Sequence, residues 1–592
     1  MQDNPILYYT QRVLEFKQQL KAVKRLLYLS SFFRFAVFLA TCFAIYITFD
    51  QWKISLLCAV IGVAGFVFLL LRHLKLAYKR DKIRRFITMN QLEIDVLKGD
   101  ISKLSTGEEF VDPSHFYSYD IDLFGANSLF QYMNRTATSE GKQVLANLFT
   151  SNTIDSIEKK QQVVSELSEK GAWRQNFTAI ASMIKNDTKI AVLNNWLTNY
   201  TASIPGLMRY LPNAFSLISM VLIVLFFMDM IPDLVFYGWF FFGLGISSIY
   251  LSRVNSLSNH TSTVSATFSE YSKLIACVET ANFETETLKK QQEKLSSEIL
   301  NASEIVQEFS KLLAALDSRN NIFIGLVLNG FFLWDVKQSF LIEAWIEKYH
   351  SKVADWFDVI SFFDAQNSLG NYVFNHPQFH TATIDLKAKS VLKASKLGHP
   401  LLKKEGRVDN DFSIDKEQFF IVTGANMAGK STFLRTVSLS IVLCNMGLPI
   451  CAEKAVYSPI KLITSMRTSD SLAEGSSYFF AELQRLKIIV EAVKVDRYFI
   501  ILDEILKGTN SHDKALGSKK IVRQFSSKKA SGIIATHDLS LCELSVEISQ
   551  VENYYFDAEI IKDELFFGYK LKKGICTNMN ASFLLKKMKI VE

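Results

Sequence analysis

Two apolar runs separated by four residues constrain this chain more than any other feature. The first covers about Phe32–Phe49 and is interrupted only by Arg34 near its start; the second covers Ile54–Leu71 and carries no charge. Each is close to the roughly 17–25 helical residues that a bilayer crossing requires. The link Asp50-Gln51-Trp52-Lys53 leaves room only for a turn, so the pair reads as a helical hairpin. Arg34 is placed where a long side chain can reach back to water. A second pair, about Leu211–Met228 and Leu234–Leu251, is joined by the short stretch Asp229 to Asp233, which includes Pro232.

Flanking charge orients the first hairpin. Lys17, Lys21, Lys24 and Arg25 precede it, and Arg72, Lys75, Lys79, Arg80, Lys82, Arg84 and Arg85 follow it, while the link holds only Lys53. The positive-inside rule puts both ends on the cytoplasmic side. The expectation is a multi-pass protein with four membrane helices, both termini cytoplasmic, in contact with membrane lipid. Read otherwise, these runs are core helices of a large soluble protein. No small-residue cleavage site follows the first run, so it does not read as a cleaved signal. A fifth run, Ile322–Trp334, is shorter and ends at Asp335 and Lys337; it is expected to be a buried helix.

The rest of the chain excludes several classes. Nine Pro and 25 Gly in 592 residues, with 49% apolar residues, rule out a disordered or collagen-like chain and favour helix. The seven Cys form no CxxC pair, which argues against a zinc ribbon or disulfide framework and for a reducing compartment. A net charge of +7 is mild for this length and does not by itself point to nucleic acid. In Asn255–Ser318, Leu288, Leu295, Ile299, Ile305, Phe309 and Leu312 recur at helical spacing among Lys and Glu. That pattern predicts long exposed helices. From about Thr381 short β-rich runs alternate with helical stretches, as in an α/β nucleotide-binding domain.

The chemistry lies in the last third. Gly424-Ala-Asn-Met-Ala-Gly429-Lys430-Ser431-Thr432 fits the phosphate-loop pattern G-x-x-x-x-G-K-[ST], with an apolar strand, Phe419–Thr423, before it and a helix after it. Glycines let the backbone curl so that its N–H groups converge on phosphate oxygens, and the helix N-terminus adds partial positive charge. Lys430 can then reach the β- and γ-phosphates, and the Ser431 hydroxyl can bind magnesium. Downstream, the strand Tyr498–Leu502 ends in Asp503-Glu504. Asp503 is placed to hold magnesium and Glu504 to deprotonate the attacking water. His537 follows another short apolar strand, Ile533–Thr536, and is a candidate γ-phosphate sensor. Gly475-Ser476-Ser477-Tyr478 precedes an amphipathic helix and is either an ordinary cap or an anion site facing a second subunit.

With these residues in hand, Thr423–His537 resembles the ATPase domain of the MutS family of DNA mismatch-repair proteins, itself related to ABC-type ATPases. The residues that carry the resemblance are Thr423–Thr432, Asp470-Ser-Leu-Ala-Glu-Gly475, Ser477 with Phe479 and Glu482, Asp503–Asp513, and Ala535-Thr-His537. Gly398-His-Pro400 resembles the short motif ahead of that domain. Asp122–Ser128, with Asn134–Thr138 and Gly141, resembles the start of the family's helical core. The resemblance implies a homodimer through the ATPase domain with a composite site for ATP and Mg2+. Gly424, Asn426, Gly429, Lys430, Ser431, Thr432, Asp503, Glu504 and His537 would act in one subunit, and Ser477 from the other. It also implies ATPase cycling linked to DNA.

The chain departs from the family at Ala425 and Ala428, where Pro and Gly are usual, at Leu506-Lys507, where Gly-Arg is usual, and at Lys514. A membrane hairpin stands where the mismatch-reading domain would begin. Phe268-Ser-Glu270 has the letters of that domain's wedge but lies in a helical stretch. The expected fold class is mixed: α-helical membrane hairpins and a helical core or lever, followed by a C-terminal α/β P-loop (ABC-like) ATPase domain. The expected division is 1–31 N-terminal cytoplasmic helix, 32–71 first hairpin, 72–210 first part of the core, 211–251 second hairpin, 252–380 second part of the core, and 381–592 ATPase domain. Two outputs follow for the ATPase. One acts on mismatched or branched DNA, as in the mismatch-repair relatives. The other acts mechanically on the membrane hairpins or a protein partner.

Overall fold

A computed structural model describes residues 4–184, 190–261, 264–296, 301–467, 478–561 and 564–576. The first two helices, α1 (Pro5–Ile47) and α2 (Trp52–Leu97), form an antiparallel hairpin much longer than its apolar runs. Asn4 caps α1 by accepting from the amide of Leu7 at 3.2 Å, and Pro5 takes the first turn, where a missing N–H costs nothing. No residue from Phe32 to Leu71 is buried. The basal halves do pack: Phe16, Val23, Leu27 and Ile83 are buried between the helices, and Phe16 stacks on Phe86. The tip therefore exposes a large continuous apolar surface.

The helical core begins with α3 (Leu129–Met133), α4 (Ser139–Thr150), α5 (Ile157–Glu169), α6 (Gly171–Ala181) and α7 (Ile190–Asn199). A second hairpin, α8 (Leu211–Phe227) and α9 (Asp233–Ile249), follows, and α10 (Leu251–Thr261) continues it after a 60° bend. The two hairpin tips meet: Lys53 pairs with Asp229 at 3.4 Å, and Trp52 stacks on Phe227. The core resumes with α11 (Val264–Glu279), α12 (Glu286–Glu293) and α13 (Ala302–Asp317), passes through α14 (Ile322–Phe332), and ends in α15 (Trp334–Asn375). At 42 residues, α15 is about 60 Å long.

By length and composition, α1 and α2 are each able to cross a bilayer; α9 with α10 makes a third only if the bent pair is one span, and α8 is shorter. Among the described residues two helices, against the four expected, meet the criterion alone. Two other expectations are corrected. The region Asn255–Ser318 does not form long exposed helices. Leu288, Ile305 and Phe309 are buried in short helices and Leu295 in the turn after α12, in a cluster with Trp345, Trp356 and Phe357 of α15, while Ile299 lies outside the described residues. The long helix is α15, and its aromatic face supplies the partner surface. The apolar run at Ile322 is not buried either: Ile322, Phe323, Ile324, Leu326 and Val327 are exposed on α14. Phe268, in contrast, is fully buried in α11 and is no wedge.

Two sheets follow α15. One has the order β1 (Thr383–Ile384), β5 (Lys454–Tyr457), β2 (Ser390–Leu397), β3 (Asn410–Asp415). The other has the order β10 (Glu564–Lys573), β9 (Val551–Ile561), β4 (Phe419–Gly424), β8 (Ser531–Ala535), β7 (Tyr498–Asp503), β6 (Lys461–Ser465). In it β9, β4, β8, β7 and β6 run parallel and β10 antiparallel. The helices α16 (Lys430–Asn445), α17 (Tyr478–Val495), α18 (Ser511–Ser527) and α19 (Leu544–Glu547) complete the layer. Every residue of β4 and β8 is buried, which is why both strands read as unbroken apolar runs. Parallel order brings the carboxyl ends of β4, β8 and β7 to one edge, the usual ligand side of such a sheet.

Candidate nucleotide site

The predicted phosphate loop is the turn between β4 and α16. Its shape depends on backbone that side chains resist: φ is +147° at Gly424, +65° at Met427 and +100° at Gly429. A Cβ at Gly424 would stand 2.6 Å from the carbonyl oxygen of Phe556 on the neighbouring β9, so the strand end is closed to any larger residue. Ala428 is buried, whereas Asn426 and Met427 are exposed at the loop tip. Lys430 and Ser431 open α16, so their amide groups face the loop at the positive end of the helix.

The side chains converge. Lys430 is buried, and its Nζ donates to the carbonyl oxygens of Gly424 (2.8 Å) and Ala425 (3.0 Å) and stands 3.2 Å from Nε2 of His537. Burial lowers its pKa, and the carboxylates of Asp503 and Glu504 oppose that. Ser431 Oγ donates to Asp503 Oδ2 at 2.7 Å. Glu504 follows β7 with φ of +50°, and its amide donates to the carbonyl of Ala535 on β8 at 2.9 Å. Its carboxylate lies 3.1 Å from Nε2 of His537. That hydrogen bond, helped by Lys507, outweighs partial burial and draws the Glu504 pKa down to about 2. Thr432 lies one residue further along α16, exposed at the mouth.

These groups surround a cavity of about 440 Å³ that extends from Asp503 and Glu504 past the loop to Leu397, His399 and Tyr569. Burial, with Arg435 and Arg407 nearby, lowers the His399 pKa to about 4, so that ring is neutral at physiological pH. The Gly398-His-Pro400 motif therefore forms the far wall. Ser431 and Asp503 supply two hard oxygen donors side by side. This set fits one Mg2+, whose remaining ligands would have to come from phosphate and water. Among the described residues no group of three or more His, Cys, Asp or Glu could hold a metal alone.

Of the residues singled out in the sequence, Gly424, Asn426, Gly429, Lys430, Ser431, Thr432, Asp503, Glu504 and His537 lie at this one edge. Ser477, with the rest of Asp470–Ser477, falls outside the described residues. The structure adds three supports. Glu482, on α17, accepts from the amides of Leu506 (2.6 Å) and Lys507 (3.0 Å) and fixes the turn after Glu504. Asn410 donates to the carbonyl of Tyr569 (3.0 Å) and accepts from the amide of Leu571 (2.9 Å), holding β10 over Gly429. Asp122, from the helical core, pairs with Arg435 of α16 at 3.3 Å and with Arg467, just past β6, at 2.9 Å. Only Glu482 and Asp122 lie in motifs quoted above; Asn410 and Tyr569 carry no local signal.

Comparison with known proteins bears on the same region. Residues 420–589 match the model of MutS domain V. The chain is 36% identical over 185 residues to the DNA mismatch repair protein MutS of Aquifex pyrophilus, covering 30% of this chain and 21% of that protein. It is 30% identical over 193 residues to the human MutS protein homolog 4, covering 31% and 20%. With the DNA mismatch repair protein MutS of Desulfatibacillum aliphaticivorans the identity is 30% over 239 residues, covering 39% and 26%. The matched part thus spans about a fifth to a quarter of these relatives' length. The loop geometry and these matches agree: the carboxy-terminal region of this chain, residues 420–589, is similar to MutS domain V.

Proposed function

We propose that this protein is a membrane-anchored MutS-type ATPase that binds ATP and Mg2+ at the carboxyl ends of β4, β7 and β8. The observation that carries the reading is the convergence of Lys430, Ser431, Asp503, Glu504 and His537 around one cavity. Ser431 and Asp503 would hold Mg2+, which would supply positive charge to offset that of the phosphates. Lys430 exchanges its carbonyl partners for β- and γ-phosphate oxygens. Glu504, kept ionised, orients water for in-line attack on the γ-phosphorus and accepts its proton as the bond to the ADP oxygen breaks. His537, already bonded to Glu504, holds that carboxylate and faces the leaving γ-phosphate. The site is completed by Ser477 from a second copy of the chain, so ATP favours a homodimer.

The exposed apolar tips of both hairpins support the membrane anchor. For the output, DNA is favoured by the similarity to DNA mismatch repair proteins. A mechanical output is favoured by α15, which runs unbroken from the apolar helices to the sheet domain. One assay tests both: ATP turnover by the full-length protein in lipid nanodiscs, with and without duplex DNA, across a salt series. Stimulation by DNA that falls steeply with salt favours the DNA output. Stimulation by lipid composition alone favours the mechanical one. No turnover under any condition sinks the proposal.

A further inference from the structure

α14 has two unlike faces. Gly325, Asn329 and Gly330 are buried, while Ile322 is 73% and Phe323 83% exposed, with Ile324, Leu326 and Val327 also open. The buried face is locked to the second hairpin. A Cβ added at Gly243 of α9 would collide with the carbonyl oxygen of Gly330, so the two helices touch backbone to backbone. Phe331 packs on Phe236 and Phe240, with ring centroids 5.3 and 5.1 Å away. Ser216 Oγ of α8 lies 3.4 Å from the carbonyl of Phe332.

The polar residues that flank α14 are tied to one another. Arg319 and Asp335, which flank it, form an ion pair at 3.2 Å. Asn329 Oδ1 accepts from the amide of Asp335 at 3.0 Å, and Trp334 Nε1 donates to the carbonyl of Ala315 at 2.9 Å. No charged residue lies between Arg319 and Asp335. Eleven residues make a helix of about 16 Å, roughly half of a hydrocarbon core. Its open face is continuous with the apolar outer faces of α8 and α9, where Leu217, Met220, Phe241 and Phe242 are exposed.

We infer that α14 is a re-entrant half-helix that dips into the bilayer from the core side, its open face covered by lipid acyl chains. The inference rests on the membrane reading of the hairpins and extends it. Since α15 starts one residue after α14, the long helix is anchored in lipid at one end. Its other end docks on the core through Asp364, which accepts from the amides of Ala137 and Thr138 at 3.0 and 2.8 Å. A turn of α15 during the nucleotide cycle would then move the membrane insert directly.

The test is spin-label accessibility of the full-length protein in phosphatidylcholine vesicles, with Cys42 and Cys58 changed to Ala. Labels are placed singly by Phe323→Cys, Val327→Cys, Leu217→Cys on α8 and Asn320→Cys at the polar flank. Expected is a several-fold higher ratio of oxygen to water-soluble nickel-chelate collision at 323 and 327 than at 320, matching that at 217. A lipid signal at 217 with a water signal at 323 and 327 overturns the inference and leaves the hairpin in the membrane. Water signals at 217, 323 and 327 overturn both. Protection from both reagents at 323 and 327 also overturns it, because a second copy of the chain then covers α14. Two labelled positions keep the result readable if one variant fails to fold.

Discussion

His537 holds Glu504: Nε2 of the ring lies 3.1 Å from Oε1 of the carboxylate. Because this bond keeps Glu504 far below the ordinary glutamate range, the proposed mechanism places the acid limb of turnover, set by protonation of Glu504, well below neutrality. Glu504→Gln should lower kcat by about 10²–10⁴ while ATP still binds. His537→Ala should release the carboxylate, so the acid limb of the kcat–pH profile moves upward. A wild-type rate in Glu504→Gln refutes the base assignment, and an unmoved acid limb in His537→Ala refutes the coupling.

Lys430 donates its hydrogen bonds to the loop's own carbonyls, and the proposed function requires it to exchange them for phosphate oxygens. Lys430→Ala should weaken ATP binding by about 10–100-fold, the worth of a charged hydrogen bond of ~1.5–3 kcal/mol. Equilibrium binding of a fluorescent nucleotide measures it. Unchanged affinity would mean that the amine never reaches the nucleotide.

The nucleotide edge is legible in the sequence because parallel strands buried on both faces appear as unbroken apolar runs. Phe499–Leu502 and Ile533–Ala535 are wholly buried, and each run stops just before candidate site residues. The placement of α14 is not legible. An apolar helix facing lipid and one facing protein have the same composition, and periodicity does not separate them. The buried faces of α11 and α13 are misjudged for a related reason: their partner, α15, is distant in sequence, and their Lys and Glu residues suggest solvent on every side. Asp122 meets Arg467 across 345 positions, a contact that no local pattern announces.

Asp364 on α15 is fully buried, and burial raises its pKa to about 6 even though it accepts from Ala137 and Thr138. The folded state therefore binds the proton more tightly than the unfolded chain, whose value is 3.8. Stability falls as pH rises from about 4 to about 6 and is level above that. The contribution is on the order of 2–3 kcal/mol. Asp364→Asn should flatten this slope. Thermal unfolding of the detergent-purified protein at several pH values within the window reads it, and an unchanged slope in the variant assigns the titration elsewhere.

Asp122 ties the helical core to both sides of the nucleotide edge. One oxygen reaches Arg435 on the helix that starts at Lys430; the pair also grips Arg467, which immediately precedes residues 468–477. Asp120 reinforces the joint by accepting from Thr464 Oγ1 at 2.6 Å and from the amide of Arg467 at 2.9 Å. Since Asp122 is partly exposed, its pairs add little to global stability, about 0–1 kcal/mol each. Their effect lies in orienting α16 and the end of β6 relative to one another. Asp122→Asn should therefore lower turnover by roughly 2–10-fold, a coupling of about 0.5–1.4 kcal/mol, with little change in unfolding temperature or ATP affinity. The loss should shrink as salt screens the wild-type pair. If Asp122→Asn instead unfolds the protein at lower temperature with its turnover per folded molecule intact, the joint is structural support and not a coupling element.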